Sequence, residues 1–379
     1  MASDPTPASR RYPPGTLRIG QVAGVDITVR ASWLLIAGLI AIMLAPSIDL
    51  IAPGLGNLRY VAGLAFAVLL YLSVLLHEIS HALAAKAFGL PVKSVTLHFL
   101  GGVTEIEGEP PTAGREFVIA VVGPVTSLLV AGLAFVLAGA LSGYSLGYAA
   151  VAALAKANLI VGVLNLAPGL PLDGGRILRA AVWKATGNPH RGTSVAGWSG
   201  RGLAVLTLGY PLALPAWGQQ PSIFDFAIAV IIATFLWTAA SQALTGARIR
   251  AKLPTLQARR LARRAIGVPH DLPLAEGIRR AHAVQAGGLV VVTGGGEPVG
   301  VVNEAAVLST PEERRPWVSC GSVARKLEPG LSLDADLSGE HLVRALRDTP
   351  ATEYVLLEPS GQVFGVLAAK DVDAAFAAA

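Results

Sequence analysis

Leu75-Leu76-His77-Glu78-Ile79-Ser80-His81 sits inside the long apolar run Tyr60–Phe88. Residues four apart share one face of a helix, so His77 and His81 can offer imidazole nitrogens to a single metal ion. Glu78, beside them, is placed to take a proton from a water on that ion. Three ionisable residues in five positions of an apolar helix are costly to insert in a bilayer and point to function. The plainer alternative is a polar helix end at the membrane interface.

Outward from this run, the chain divides by charge. Of 379 residues, 53% are apolar and only 15% charged, against about 25% charged in an ordinary globular chain. Residues 1–246 hold 14 Lys and Arg with 10 Asp and Glu, while residues 247–379 hold 16 and 15. A membrane part is therefore followed by a polar part. One cysteine, Cys320, excludes an internal disulfide and a Cys-based zinc cluster. With net charge +5 and no basic stripe interleaved with aromatics, nucleic acid is not expected as a partner. No apolar stretch with a small-residue cleavage site opens the chain, so no secretory signal peptide is expected.

A bilayer-spanning helix needs about 20 apolar residues. Six segments approach this: Trp33–Ala45 (extending to Ile51 past Pro46 and Asp49), Tyr60–Phe88, Phe117–Leu141, Ala149–Leu166, Ala196–Leu214 and Ile223–Leu244. Lys and Arg fall on one side of them. Arg10, Arg11, Arg18 and Arg30 precede the first span, and alternate connections carry the rest, while the opposite connections carry only Arg59. The positive-inside rule then puts both termini in the cytoplasm. The Arg-to-Lys ratio of 23 to 7 points to a GC-rich bacterial genome.

A third metal ligand should come from the same membrane side as His77 and His81. The fourth span ends in Asn165-Leu166-Ala167-Pro168-Gly169-Leu170-Pro171-Leu172-Asp173-Gly174-Gly175. Asp173 is the one carboxylate between Glu116 and Asp225. Pro168 and Pro171 break the helix and Gly174-Gly175 permits a tight turn, which folds Asp173 back toward the bundle. A helix-capping role for Asp173 is the alternative.

These two motifs, HEISH at 77–81 and NLAPGLPLDGG at 165–175, resemble those of the site-2 protease family of intramembrane zinc metalloproteases. His98-Phe99-Leu100-Gly101-Gly102 and Gly123-Pro124-Val125-Thr126-Ser127 match the family in order. The resemblance implies that His77, His81 and Asp173 bind one zinc ion, that Glu78 is the general base, and that Asn165 orients the substrate or polarises its carbonyl. It makes 93–108 a small re-entrant β-sheet beside the site, and the substrate a single-span membrane protein. The fold expected is a polytopic α-helical membrane protein of about six spans, with a short hairpin at 17–29 and a protease domain over 32–246. Two residues are left open: His98 as a metal-site candidate, and Lys156, which can pair with Glu116, reach water or snorkel.

Residues 247–264 read as a basic linker. Beyond it the sequence repeats at an offset of 65: Leu289-Val290-Val291-Val292 aligns with Tyr354-Val355-Leu356-Leu357, Gly296 with Gly361, and Gly300 with Gly365. The copies, 265–311 and 317–377, resemble a tandem pair of cystathionine-β-synthase (CBS) domains in a cytoplasmic α/β unit. The resemblance implies an adenine nucleotide between the copies, with Asp371 as a contact. Ala368 replaces the usual hydroxyl in the second copy and Ala306 the usual Asp in the first, so a homodimerising role competes. Because CBS pairs also accompany transporters, a CBS-regulated transporter or channel is the rival function. A general base beside two histidines favours hydrolysis.

Overall fold

The computed structural model describes residues 14–99, 101–141, 143, 145–302 and 304–378. Arg10, Arg11, Leu100 and Asn303 lie outside these. Two compact units divide at Ala247/Arg248.

The first unit begins with strands β1 (Thr16–Val22) and β2 (Val25–Arg30), the hairpin expected at 17–29. Helices α1 (Trp33–Ile51) and α2 (Leu58–Ala87) follow, then β3 (Val92–His98), β4 (Gly101–Ile106), α3 (Ala113–Gly139), α4 (Leu146–Asn165), α5 (Asp173–Thr186), α6 (Pro189–Ala213) and α7 (Ile223–Lys252). The strands form one sheet in the order β1-β2-β3-β4. The parallel pairing of β2 with β3, which joins the hairpin to the 93–108 segment, has no signal in either strand alone. Val25 and Val95 of this sheet pack on Ala82 of α2, so the sheet lies on the helix that carries the HEISH motif.

Small residues fill the helix contacts and large ones face outward. Ala37, Ala41 and Ala45 of α1 are buried, and a Cβ on Gly63 of α2 would meet the Ala41 backbone at 2.8 Å. Leu133 and Phe135 of α3 are 72% and 76% exposed. Lipid tails satisfy large apolar side chains, while close helix approach needs small ones, so this pattern fits a bilayer. Among the described residues five helices, α1, α2, α3, α4 and α7, are long and apolar enough to cross it. The further span expected at 196–214 falls largely in α6, which carries His190 and Arg191 in its first turn and Arg201 at its midpoint, among glycines. Pro46 does not end α1, which runs on to Ile51, and Asp49 near its end is paired with Arg59.

The second unit contains α8 (Ala258–Leu261), β5 (Arg263–Pro269), α9 (Leu274–Ala283), β6 (Gly288–Val292), β7 (Pro298–Val302), α10 (Glu304–Ser309), β8 (Ala324–Lys326), β9 (Ser332–Asp334), α11 (Gly339–Asp348), β10 (Glu353–Leu357), β11 (Val363–Ala368) and α12 (Ala369–Ala378). Its seven strands order as β8-β7-β6-β5-β11-β10-β9. The offset of 65 carries α9 onto α11, β6 onto β10 and the start of α10 onto the start of α12. Gly296 and Gly361 both take positive φ, +86° and +83°, in turns closed to the carbonyls of Thr293 and Glu358. A glycine adopts that backbone without strain, which is why Gly296 and Gly361 match while the rest of the turn does not.

Residues 247–264 differ from the expected linker. α7 runs to Lys252, Leu256 and Ala258 are buried in the core of the second copy, and Arg263 begins β5. Arg259 donates to both oxygens of Glu358 at 2.7 and 2.8 Å and to Asp336 at 2.7 Å. Acids distant in sequence pair with Arg259 and Arg263, and this part of the run folds into the unit.

Candidate metal centre

α2 sets His77 and His81 one turn apart, and α5 begins at Asp173. His77 Nε2 lies 3.2 Å from His81 Nε2 and 3.1 Å from Asp173 Oδ2, and His81 Nε2 lies 3.3 Å from the same oxygen. All three side chains are nearly buried, at 6%, 5% and 12% exposure.

Three lone-pair-bearing atoms facing one another repel unless a proton or cation sits among them. Their spacing fits a metal: ligands about 2.1 Å from a tetrahedral centre stand roughly 3.4 Å apart. The far side of each ring supports this. His81 Nδ1–H donates to the Ile119 carbonyl at 2.6 Å, which leaves Nε2 as the lone-pair atom. His77 Nδ1 is 2.9 Å from Ser127 Oγ, so the same tautomer is available to it. The residues fit zinc, which takes imidazole and carboxylate ligands in catalytic sites and leaves a position open. Among the described residues, this is the one cluster of three His, Cys, Asp or Glu gathered around a point.

Two close approaches shape the walls. A Cβ on Gly123 of α3 would stand 2.2 Å from His81 Nε2 and 2.7 Å from His77 Nε2. A Cβ on Gly102 of β4 would stand 2.3 Å from Glu78 Cγ. Thr104, also on β4, places its hydroxyl 2.7 Å from Glu78 Oε2 and 3.1 Å from the Glu78 carbonyl. The sheet thus supplies the donor that orients the carboxylate of Glu78.

Contacts on both sides of Asp173 in the chain fix its position. Arg176, one turn further along α5, pairs with Glu116 of α3 through Nε at 3.1 Å and Nη2 at 3.4 Å. Glu116 is fully buried, and Arg179 adds a contact at 3.6 Å. Glu116 is therefore engaged by α5 and not by Lys156. The loop before Asp173 docks on α6: Leu170 N–H donates to the Ala196 carbonyl at 3.0 Å, and Ser199 Oγ to the Pro168 carbonyl. Gly174 and Gly175 serve here through close packing. Neither has positive φ, but a Cβ on either would meet backbone of the loop at 2.3 Å.

The remaining candidates stand apart. Asn165 ends α4 half-buried, and among the described residues no hydrogen bond joins its amide to the ligand set. His98 ends β3 outside the metal cluster. In the second unit Asp371 is paired with Arg263 at 3.2 Å. Arg263 in turn lines a cleft of about 380 Å³ with His282, Arg315, Glu353 and Ala368. Ser127, Thr104 and Arg176 were not singled out by sequence. Ser127 carried a signal, since it follows Gly123 by four on one face of α3.

Fold and site together define a membrane zinc metalloprotease whose C-terminal unit is built of two repeated α/β copies. The model of peptidase family M50 matches residues 65–157 and 145–209 of the membrane unit. A relative in Synechocystis sp., sll0528, named as a zinc metalloprotease, is 28% identical over 365 residues, covering 93% of each chain. Rip3 of Mycobacterium tuberculosis, named likewise, is 37% identical over 199 residues, which span 52% of this chain and 51% of that one. Among solved structures, the site-2 protease from Methanocaldococcus jannaschii superposes with a TM-score of 0.42 and 24% identity, covering 60% of this chain and 95% of that one. The CBS domain of a bacterial CNNM/CorC family Mg2+ transporter matches with a TM-score of 0.27 and 13% identity, over 34% of this chain and 79% of that one.

Proposed function

We propose that this chain hydrolyses a peptide bond in or near a transmembrane segment of a single-span membrane protein, as a step of regulated intramembrane proteolysis. The observation that carries the reading is Glu78 on the same turn of a membrane-spanning helix as His77 and His81, with Asp173 closing the ligand set. His77, His81 and Asp173 would hold the zinc. When bound, zinc supplies Lewis acidity, which lowers the pKa of water and polarises a carbonyl. Glu78, oriented by Thr104, accepts the proton of the attacking water and returns it to the leaving amine. Asn165 contributes to orienting the substrate carbonyl. A substrate helix must first unwind, because its carbonyls are hydrogen-bonded, and Gly or Pro near the cut lowers that cost.

In this reading α6 is the sixth span, the four-stranded sheet re-enters the membrane beside the site, and both termini face the cytoplasm of a bacterial cell. The second unit binds an adenine nucleotide in the cleft lined by Arg263 and Arg315, with Asp371 acting at the ribose, and thereby regulates cleavage. A homodimer through the same unit is compatible with it.

The test is cleavage of a single-span substrate co-reconstituted in vesicles, read by mass spectrometry. Wild type should cut within or next to the span. Glu78→Gln should retain zinc and lose at least the roughly 10²–10⁴-fold attributed to general acid–base catalysis. Cleavage by Glu78→Gln at the wild-type rate rejects the mechanism, and ion flux through the spans then favours the transporter reading.

A further inference from the structure

Lys156 is the eleventh residue of α4, which runs Leu146–Asn165 and is apolar enough to span the bilayer. It stands about 15 Å from one end of the helix and about 14 Å from the other, at 1.5 Å per residue. The four-carbon stem of a lysine is shorter than either distance, so snorkelling does not carry this ammonium out of the apolar layer. The side chain is exposed on the surface of the bundle. Among the described residues it makes no hydrogen bond or ion pair, and the acids of the unit are engaged elsewhere. Glu116 is held by Arg176, Asp49 by Arg59, Glu109 by Arg179 and Asp225 by Ser222.

Lys156 borders a cavity of about 690 Å³ between α3 and α4, whose other walls include Phe135, Tyr148, Ala152 and Leu159. This cavity starts at Leu128, one residue past Ser127, and runs along α3 toward Gly139. The metal centre uses the opposite half of α3, from Glu116 to Ser127. The groove is therefore a separate apolar surface with one positive charge at mid-bilayer depth. A charge placed there persists where it has a function, most simply where it meets an opposite charge.

We propose that the α3–α4 groove docks a transmembrane helix of another membrane protein, one that carries an Asp or Glu near its midpoint to pair with Lys156. Charge complementarity selects this occupant. An acyl chain would leave the ammonium uncompensated. A second copy of the chain offers no free mid-span carboxylate among its described residues, since Glu78 of α2 is held by Thr104 at the metal centre and Glu116 by Arg176. The inference rests on placement in the membrane and is independent of proteolysis.

The experiment uses the full chain in vesicles, labelled for energy transfer to single-span Leu/Ala peptides that carry one central Asp or, as control, one central Asn. The Asp peptide should associate about tenfold more strongly than the Asn peptide. Lys156→Gln should abolish that difference while zinc content stays at the wild-type level, which shows the fold intact. Lys156→Glu should transfer the preference to a peptide with a central Lys. Equal association of the Asp and Asn peptides overturns the proposal, as does a preference that survives Lys156→Gln. Association between copies of the chain that depends on Lys156 also overturns it, in favour of a self-interface.

Discussion

Arg176 pairs end to end with Glu116, its Nε and Nη2 on the two carboxylate oxygens, and so ties the first turn of α5 to the start of α3. Asp173 begins the same turn of α5, and Ile119, whose carbonyl fixes the tautomer of His81, is one turn along α3 from Glu116. The ion pair thus joins the two elements that complete the metal centre around α2. Removing one partner leaves a buried charge uncompensated, which costs about 3–5 kcal/mol in comparable cases. Glu116→Ala and Arg176→Met should each release zinc to a mild chelator faster than wild type does. Zinc retention equal to wild type in both variants would show that α5 is positioned by other contacts.

Gly123→Ala should lose zinc outright. The added methyl carbon would lie within 2.2–2.7 Å of both ligand nitrogens, too close for any rotamer of the two rings to relieve while they still converge. Gly132→Ala, on the same helix with nothing within 4 Å of its added carbon, should keep zinc and activity. Metal analysis of the two purified variants separates the outcomes.

Ser127→Ala and Thr104→Val should fail in different ways. Ser127 backs a metal ligand, and loss of such partners typically costs 10–100-fold in metal affinity or activity. Thr104 backs the base instead, so Thr104→Val should keep zinc and lower the turnover rate. Zinc titration together with steady-state cleavage distinguishes them, and a fall in zinc affinity for Thr104→Val would contradict the assignment.

These residues show where sequence reasoning ended. His77, Glu78, His81 and Asp173 were legible because their spacing and rarity in apolar surroundings are local signals. Ser127, Thr104 and Arg176 were not, because their roles arise from contacts between helices and strands 26 to 60 positions apart. The same holds for the sheet. Both hairpins could be read from alternation and glycines, but the parallel β2–β3 pairing joins residues 68 positions apart and depends on α1 and α2 packing between them. In the second unit the offset of 65 fixed strands and helices alike. The basic run before it misled, since its neutralising acids, Asp336 and Glu358, lie far along the chain.

Cys320 offers a probe of that second unit. Although the expected bounds place it in the second copy, it is wholly buried in the core of the first, against Leu274 and Leu289, because the segment leading into β8 packs back there, and burial pushes its thiol pKa up. Both effects suppress reaction with alkylating reagents. In the native full chain, iodoacetamide should label this single cysteine only at the rate of unfolding, and urea should expose it. Rapid labelling in the absence of denaturant contradicts the packing described.

Arg259 gives the same unit a pH dependence. Hydrogen bonds from its guanidinium hold the carboxyls of Glu358 and Asp336 below their ordinary values. A group depressed in the folded state stabilises above its unfolded pKa, near 4 for such carboxylates, and that contribution is lost as the pH falls through the folded value. Wild type should therefore melt above Arg259→Gln at pH 7, with the gap closing below about pH 4. A gap that is constant across that range would assign the effect of Arg259 to packing alone.

The central claim is a zinc ion held by His77, His81 and Asp173, and X-ray absorption at the zinc edge on the purified full chain tests it most directly. The account predicts close to one zinc per chain, with two imidazole nitrogens and carboxylate oxygen at about 2.0–2.2 Å. His81→Ala should lose most of the metal, Asp173→Asn should weaken its binding and alter the oxygen shell, and Glu78→Gln should leave metal content unchanged. Zinc bound at full stoichiometry with an unaltered ligand shell in both His81→Ala and Asp173→Asn would contradict the site.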